Sequence, residues 1–466
     1  MNKIVLSGVM LGIMLGCKTP QLPEKSQTVF LPNHFSEMGK ESSEMGPWKN
    51  FIQDPYLRVL IDSALANNQE LNIELQEIQV AQNEVYAKTG EYRPYVQWQV
   101  GASVDKVGRY TRDGAVEHNL DISSGKAFPE PFSDYKIGLV AGWEVDIWKK
   151  MRASKKAAYH RYMGTVEGRN FLVTQLVAEI AHSYYELQAL DQQLEILEQN
   201  YELQSKVLNI ISLLKNSTRA NELAVSRFQA QVLKTKAMRF DLLQKTVEAE
   251  NRINLLVGRM PQKVERSKNS SLATFQTGVP VDLLRNRPDI RRAELELEAQ
   301  KLDVYAAKMR FYPALAIEGG MGWQAFNPTY LVKPASILFQ MGANMAGPLI
   351  NKRAITADYK SANAKQIQAL YNYERSLLQA VIEVETEVKA LENLESKIDL
   401  KKQEVEALNR SVEVSEKLFN YARADYMEVL LTQREALEVQ FELIESELMQ
   451  KSAQINLYKA LGGGWL

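Results

Sequence analysis

The chain states its plan twice. Residues Leu71 to Pro94 align without a gap on Ile290 to Pro313, pairing Val85-Tyr86-Ala87 with Val304-Tyr305-Ala306, at an offset of 313 − 94 = 219. From about Lys149 to Gly258 the match continues onto Arg353 to Gly462 at a second offset, 462 − 258 = 204. It carries Glu179/Glu383, Asn216/Asn420, Arg219/Arg423, Ala220/Ala424 and Gln229/Gln433. The first copy therefore holds 219 − 204 = 15 extra residues between Pro94 and Lys149. A duplication whose length difference is confined to one internal loop predicts two structural copies that pack as equivalents. A chain of 466 residues would otherwise suggest roughly two to four globular domains; the repeat argues for one elongated body.

Composition removes several functions. With 56 basic and 57 acidic residues there is no net field to attract nucleic acid. A single Cys excludes a disulfide framework, and four His leave little for metal chemistry. Lys3 is followed by an apolar stretch from Ile4 to Leu15, too short to span a bilayer as a helix and of the size of a signal-peptide core. It ends in Met14-Leu15-Gly16-Cys17, which resembles a bacterial lipoprotein cleavage site with Met14 where Leu is usual. We read 1–16 as a signal peptide and 17–53 as an arm with Cys17 acylated, each buried CH2 contributing roughly 0.8 kcal/mol of membrane affinity. An ordinary secretory signal with an incidental Cys is the plainer alternative.

Two repeats follow, at 54–262 and 288–466, joined by a linker at 263–287. Each opens with a helical pattern: Asp54 to Thr89 in the first, and Arg287-Pro288-Asp289, with a Pro suited to a first helical turn, in the second. After the paired prolines the period changes. Tyr95 to Gly101 and Tyr135 to Trp143 alternate polar and apolar residues as half-buried strands do, and the second copy offers Ala314 to Trp323 and Ser336 to Ala346. Four strands of roughly ten residues have the length that a tilted membrane-crossing strand needs. The extra residues fall in the first turn, around Asp105 to Asp134. Trp98, Trp143, Trp148 and Trp323 lie in or beside the strands, where membrane-interface aromatics belong; ordinary core tryptophans are the plainer reading.

Long helices come next. Val173, Val177, Ile180, Tyr184 and Leu187 step by four and three, and Leu377, Val381, Val384, Val388 and Leu391 repeat those steps, a heptad-like seam for side-by-side packing. A helix from Lys149 to Leu214 extends on the order of 100 Å. A short helix (about 71–92) stacked on a later one (about 222–258, or 426–460) gives nearly the same height, so each chain offers four helical columns and four strands. Four strands cannot close a lumen, and open edges in lipid cost several kcal/mol per unpaired group. Closure then comes from oligomerisation: three copies supply twelve strands and twelve columns. Twelve strands are a size compatible with a water-filled channel; the expected fold class is membrane α+β, and that it is a trimeric twelve-stranded transmembrane β-barrel continued by an α-helical barrel is what the resemblance given next implies.

Asp134 to Lys150 (DYKIGLVAGWEVDIWKK), Val279 to Glu294 (VPVDLLRNRPDIRRAE), Asp425 to Glu435 (DYMEVLLTQRE) and Ala460 to Trp465 (ALGGGW) are similar to signature stretches of TolC-like outer-membrane efflux proteins, especially the lipoprotein branch that serves tripartite pumps. The resemblance implies a homotrimeric duct through the outer membrane and periplasm that does no chemistry and needs no cofactor. It implies as partners a periplasmic adaptor and an inner-membrane transporter of the RND type. By position it puts the adaptor-docking tip at Asn216, Ser217, Thr218, Arg219 and Asn221 in one turn and at Asn420, Tyr421, Ala422, Arg423 and Asp425 in the other, with the pore constriction near Asn420 and Leu431. Two departures stand out: Thr218 and Ala422 occupy positions where the family commonly has Gly, and Leu431 stands where an acidic residue is common.

Other constellations have bland readings. Glu179, His182 and Glu186 share a helical face, but a metal site wants better-defined partners; a solvated face is expected. The run Arg285, Arg287, Asp289, Arg291, Arg292 and Glu294 is expected to tie a helix start to its neighbours through ion pairs. Gly319-Gly320-Met321-Gly322 lacks the Lys of a phosphate loop, and the fifteen scattered Met give no support to soft-metal export. A helical scaffold or adaptor lipoprotein without a pore is the rival; it would be expected to carry one hairpin flanked by compact β-domains, whereas here each copy opens with a strand pair. No grouping of nucleophile, base and oxyanion donors suggests an enzyme.

Overall fold

The computed structural model describes residues 19–29, 47–216, 221–268, 270–273, 282–421 and 423–465. After a short helix α1 (Trp48–Phe51), the first half runs α2 (Pro55–Asn67), α3 (Gln69–Glu91), β1 (Tyr95–Asp105), α4 (Arg112–Asn119), β2 (Asp121–Ser123), β3 (Lys126–Ala127), β4 (Phe132–Val145), α5 (Lys150–Asn216) and α6 (Glu222–Val257). The second half runs α7 (Asp282–Asn286), α8 (Pro288–Met309), β5 (Ala314–Ala325), β6 (Ile337–Ala346), α9 (Arg353–Asn420) and α10 (Tyr426–Ala460). The β1–β4 connection covers 106–131 and the β5–β6 connection 326–336, so they differ by 26 − 11 = 15 residues. The insertion read from the offsets is thus α4 with the β2–β3 hairpin.

The expected helix from Asp54 is broken at Asn68. Asp54 caps α2, accepting from the Tyr56 and Leu57 amides (2.9 and 3.3 Å). Asn68 then interrupts the helix, accepting from the Leu71 amide (2.9 Å) while its Nδ2 donates to the Leu256 carbonyl of α6 (2.8 Å). A side chain that caps one helix and ties down another outweighs continuing a single helix.

Two compact units form, and neither is one of the repeats. One draws on Val80–Tyr162 and Glu296–Ala369 and holds the strands of both halves; the other draws on Met163–Leu295 and Leu370–Leu466. In the helical unit both seams are inside: Val173, Val177, Ile180, Tyr184 and Leu187 are buried, as are Leu377, Val384 and Val388, with Val381 and Leu391 packed against them. Each half ends on a left-handed glycine, Gly258 (φ 76°) and Gly462 (φ 87°), at the shared offset. A Cβ there would lie 2.5 Å from the Asn67 carbonyl oxygen or 2.4 Å from Asn286, so Gly is needed for conformation and for space.

Polar clasps join the halves. Arg287, buried ahead of the Pro288 helix start, pairs with Asp289 (2.7 Å) and Glu383 (2.7 Å) and donates to the Ala460 carbonyl (3.0 Å). Arg291 pairs with Glu167 (3.4 Å). These are the ion pairs expected of that run; of Arg285 only the backbone is described. Segments 264–268 and 270–272 strap onto the helices: Arg266 forks onto Asp191 (2.6 and 2.8 Å) and reaches Glu250 (2.8 Å). The Ser267 amide donates to the Tyr184 hydroxyl (3.0 Å), which donates to Asp54 (2.8 Å). Burial pushes the Asp54 pKa up, but hydrogen bonds from Tyr184, Ser267 and Leu57 outweigh it and hold the carboxyl below the usual aspartate value. Its contribution is therefore present above the unfolded-state pKa and lost as pH falls through the folded one. Tyr184→Phe should cost about 1–2 kcal/mol at neutral pH, read by urea unfolding followed by circular dichroism. The deficit should shrink in acid as Asp54 is protonated.

Candidate functional site: the sheet faces and the hairpin tips

The four-stranded sheet is antiparallel throughout, in the order β1-β4-β5-β6. Residues directly opposite in such a sheet share a face, so the register lines up rows across all four strands. Val96–Ala141–Gly319–Met341, Trp98–Leu139–Met321–Phe339 and Val100–Ile137–Trp323–Ile337 are three consecutive rows on one face. They contain no polar side chain apart from the indole N–H groups. The intervening rows on the other face are Tyr95–Gly142–Glu318–Gly342, Gln97–Val140–Gly320–Gln340 and Gln99–Gly138–Gly322–Leu338. One face is continuously apolar, the other polar and glycine-rich.

Among the described residues nothing covers the apolar face. Trp98 is 78% exposed, and Phe339 and Met341 are each 85% exposed. So large an apolar surface marks a place where lipid or protein sits in the working state. β1 pairs only with β4, and β6 only with β5, so among the described residues the outer edges of β1 and β6 carry unpaired backbone groups.

The four tryptophans separate. Trp98, Trp143 and Trp323 lie on the apolar face; Trp148 sits just past β4. The Trp143 indole donates to the Tyr92 carbonyl (3.0 Å). That of Trp148 donates to the Pro313 carbonyl (2.8 Å), and its ring packs on Tyr312 with centroids 5.1 Å apart.

The connections between the paired long helices span five residues each, 217–221 and 421–425. Asn221 caps α6 by accepting from the Ala224 amide (2.9 Å), and Lys215 and Glu222 form an ion pair across the turn. In the second turn the Arg423 amide donates to the Leu418 carbonyl (2.8 Å), and Asp425 precedes α10. Asn216, Asn221, Tyr421, Arg423, Asp425 and Leu431 are exposed. Cys17, Ser217, Thr218, Arg219 and Ala422 lie outside the described residues, and of Asn420 only the backbone is described.

Below the turns, a feature not foreseen from sequence holds the hairpins together. Val207, Ile211, Ala224 and Phe228 form a small core separate from the main one, and Phe419, Tyr426 and Leu430 of the second hairpin pack against it. Its signal was there: Val207/Ile211 and Ala224/Phe228 are apolar pairs four apart near the helix ends. The turns thus share one foundation.

The set-aside constellations have structural partners. His182 Nε2 bonds Asn456 (3.0 Å), whose Nδ2 donates to Glu387 (3.2 Å), and Glu186 pairs with Arg252 (2.6 Å). Burial lowers the His182 pKa and raises that of Glu387. Among the described residues no group of His, Cys, Asp and Glu could hold a metal. Gly319 to Gly322 lie within β5.

Residues 60–259 and 279–463 match the model of the outer membrane efflux protein family. The chain belongs to that family. It is similar to the pyoverdine export outer membrane protein OpmQ of Pseudomonas aeruginosa, 26% identical over 91% of this chain and 89% of that protein. A probable outer membrane lipoprotein, SilC of Salmonella typhimurium, is 24% identical over 97% of each chain. The crystal structure of the Campylobacter jejuni CmeC outer membrane channel superposes with a TM-score of 0.83 at 19% identity, covering 96% of this chain and 94% of that one. The protein is thus an outer-membrane efflux channel component, and its family is one of transport channels rather than enzymes.

Phe228→Ala should loosen the tips: deleting a fully buried ring costs about 3–5 kcal/mol in a core. Limited proteolysis of the folded protein should then cut faster in both turns, 217–220 and 421–425, whereas Tyr421→Ala, at a 78% exposed position, should leave unfolding unchanged.

Proposed function

We propose that three copies of the chain close into a passive export conduit: a twelve-stranded barrel in the outer membrane continued by a ring of helices in the periplasm. The observation that carries this is the sheet, with one face apolar across every strand, the opposite face polar, and both edges free. Immersed in lipid, such an edge leaves backbone groups unsatisfied. With four strands alternating in direction, β6 of one copy meets β1 of the next antiparallel, as β1 meets β4 within the chain. Eight strands from two copies would leave an interior filled by side chains, whereas twelve leave room for a lumen.

In this reading the apolar rows face lipid and Trp98, Trp143, Trp148 and Trp323 anchor the barrel at the interfaces, while Gln97, Gln99, Glu318 and Gln340 line the water-filled side. The conduit does no chemistry. Cargo is driven by a periplasmic adaptor and an inner-membrane transporter, with the adaptor meeting the hairpin tips. Asn216, Ser217, Thr218, Arg219 and Asn221 form one docking turn, and Asn420, Tyr421, Arg423 and Asp425 the other, with Ala422 between them; the pore narrows near Asn420 and Leu431. Acylated Cys17 adds a second tether to the membrane. Inside the chain, Thr28 donates to Glu374 through its amide and hydroxyl (2.6 and 3.0 Å), and Asn363 donates to the Pro23 carbonyl (3.1 Å), so the arm that follows Cys17 is held along α9.

Two experiments test this. The purified protein should give single-channel currents in planar bilayers and shift in gel mobility on heating; a monomer without conductance would overturn the proposal. Leu139→Lys, on the apolar face, should block assembly in the outer membrane, since a lipid-facing Lys near the midplane costs about 2–4 kcal/mol. Gln97→Lys, on the other face, should assemble normally. At the tips, Arg423→Glu combined with Asp425→Lys should abolish adaptor crosslinking while leaving heat-modifiability intact; undiminished crosslinking would remove these residues from the docking surface.

A further inference from the structure

The two ends of the sheet differ sharply in charge. At the end where the four strands join helices, residues 88–94, 144–156, 308–312 and 351–356 carry eleven Lys and Arg against three Asp and Glu. At the other end, the 106–131 and 326–336 connections hold five basic and four acidic residues.

The placement of these cations runs against helix electrostatics. The amino end of a helix is its positive pole and favours carboxylates, yet α5 opens on Lys150 and α9 on Arg353, and neither has an acidic residue in its first turn. Asp146, buried just ahead of α5, accepts from the Met151 and Arg152 amides (3.0 Å each). Its equivalent ahead of α9, at the 204 offset, is the apolar Ile350. Lys149 adopts a left-handed backbone (φ 57°), where Gly or Asn would rest more easily, and such strain concentrates at binding sites. Lys150 pairs with Glu144 and Arg310 with Asp358 (2.6 Å each), but Lys149, Lys156, Lys308 and Arg353 make no ion pair among the described residues. Carboxylates therefore answer only part of the cationic charge.

A cavity lies at this junction. It has a volume of about 250 Å³, and its polar and aromatic lining is Trp148, Lys150, Arg310 and Tyr312 with the carboxylates Glu144, held by Lys150, and Asp146, held by helix amides; at ~30 Å³ per water that is space for roughly eight. Beside it, Ile147, Leu349 and Ile350 are 45%, 77% and 89% exposed. Cations, a pair of aromatic rings and bare aliphatic side chains thus meet in one place.

We propose that this junction seats the phosphodiester headgroup of an anionic phospholipid in the leaflet at the helix end of the barrel. Lys149, Lys150, Arg310 and Arg353 supply charge to the phosphate, Trp148 and Tyr312 pack at the level of the glycerol, and Leu349 and Ile350 meet the acyl chains. Free phosphate would satisfy the cations but leave the aliphatic side chains in water, which favours a lipid. The inference rests on the barrel reading, since the sheet must lie in a bilayer.

The test uses the full-length protein in nanodiscs of phosphatidylethanolamine containing a minority of phosphatidylglycerol, with the retained lipids identified by mass spectrometry after detergent exchange. The wild type should retain phosphatidylglycerol several-fold above its share of the nanodisc. Lys149→Gln with Arg353→Gln should bring that enrichment close to unity without changing heat-modifiability. Should the pair fail to assemble, Lys149→Gln alone should still reduce it. Millimolar inorganic phosphate should not displace the lipid; displacement would assign the site to free phosphate and overturn the lipid seat. Equal retention of both lipids by an inserted, conducting wild type would also overturn it and leave the barrel reading standing. Failure to enter nanodiscs at all would instead count against the barrel.

Discussion

The backbone hydrogen bonds that the outer edges of β1 and β6 do not make among the described residues govern this molecule. Each interior strand is satisfied on both sides, but the outer edges present N–H and C=O groups in a row, next to a face of Trp, Phe, Met and Ile that water would not tolerate. A soluble protein blunts such edges with charge, proline or a covering element. Here, among the described residues, they are left open and run in opposite directions, which is the geometry that the proposed closure by further copies needs. The duplication then has a physical purpose, because two strand pairs are joined through β4 and β5 into a sheet with an even strand count.

Stability inside the helical unit comes from a different source. The seams around Ile180, Tyr184 and Val384 bury apolar side chains over many turns, while charged groups appear where the chain changes direction: Arg287 at the start of α8, Arg266 on the strap, Asp54 at the start of α2. Each is satisfied by several partners from distant parts of the sequence, so each fixes register rather than adding bulk burial. The tips stand apart. Their small core, Val207, Ile211, Ala224 and Phe228 with Phe419, Tyr426 and Leu430 packed against it, is separate from the main one.

Much of this was legible in the sequence because period and repeat are direct signals. The change from helical to alternating pattern after Pro94 and Pro313 marks the strands to within a few residues, and the offset arithmetic places the insertion in one loop. The break at Asn68 was not legible, because apolar residues continue on both sides and the deciding contact, with the Leu256 carbonyl, lies far away in the chain. The insertion's own small elements carry no period and were missed for that reason. Arg287 was expected to form ion pairs, but its contact with the Ala460 carbonyl has no local signature. The tip core was missed because its members come from both hairpins, and the turns themselves were placed by resemblance more than by pattern.

The interleaving of the halves has a consequence for biogenesis. β4 ends at Val145 and its partner β5 begins at Ala314, so 314 − 145 = 169 positions separate a strand end from the neighbour that completes its ladder. During secretion one side of β4 must wait for its neighbour, with aggregation-prone hydrophobic surface bare, until most of the polypeptide has emerged. Contacts this distant in sequence form slowly. Half of the β4 ladder is therefore completed only by a segment made much later, so the sheet cannot be assembled from the first half alone.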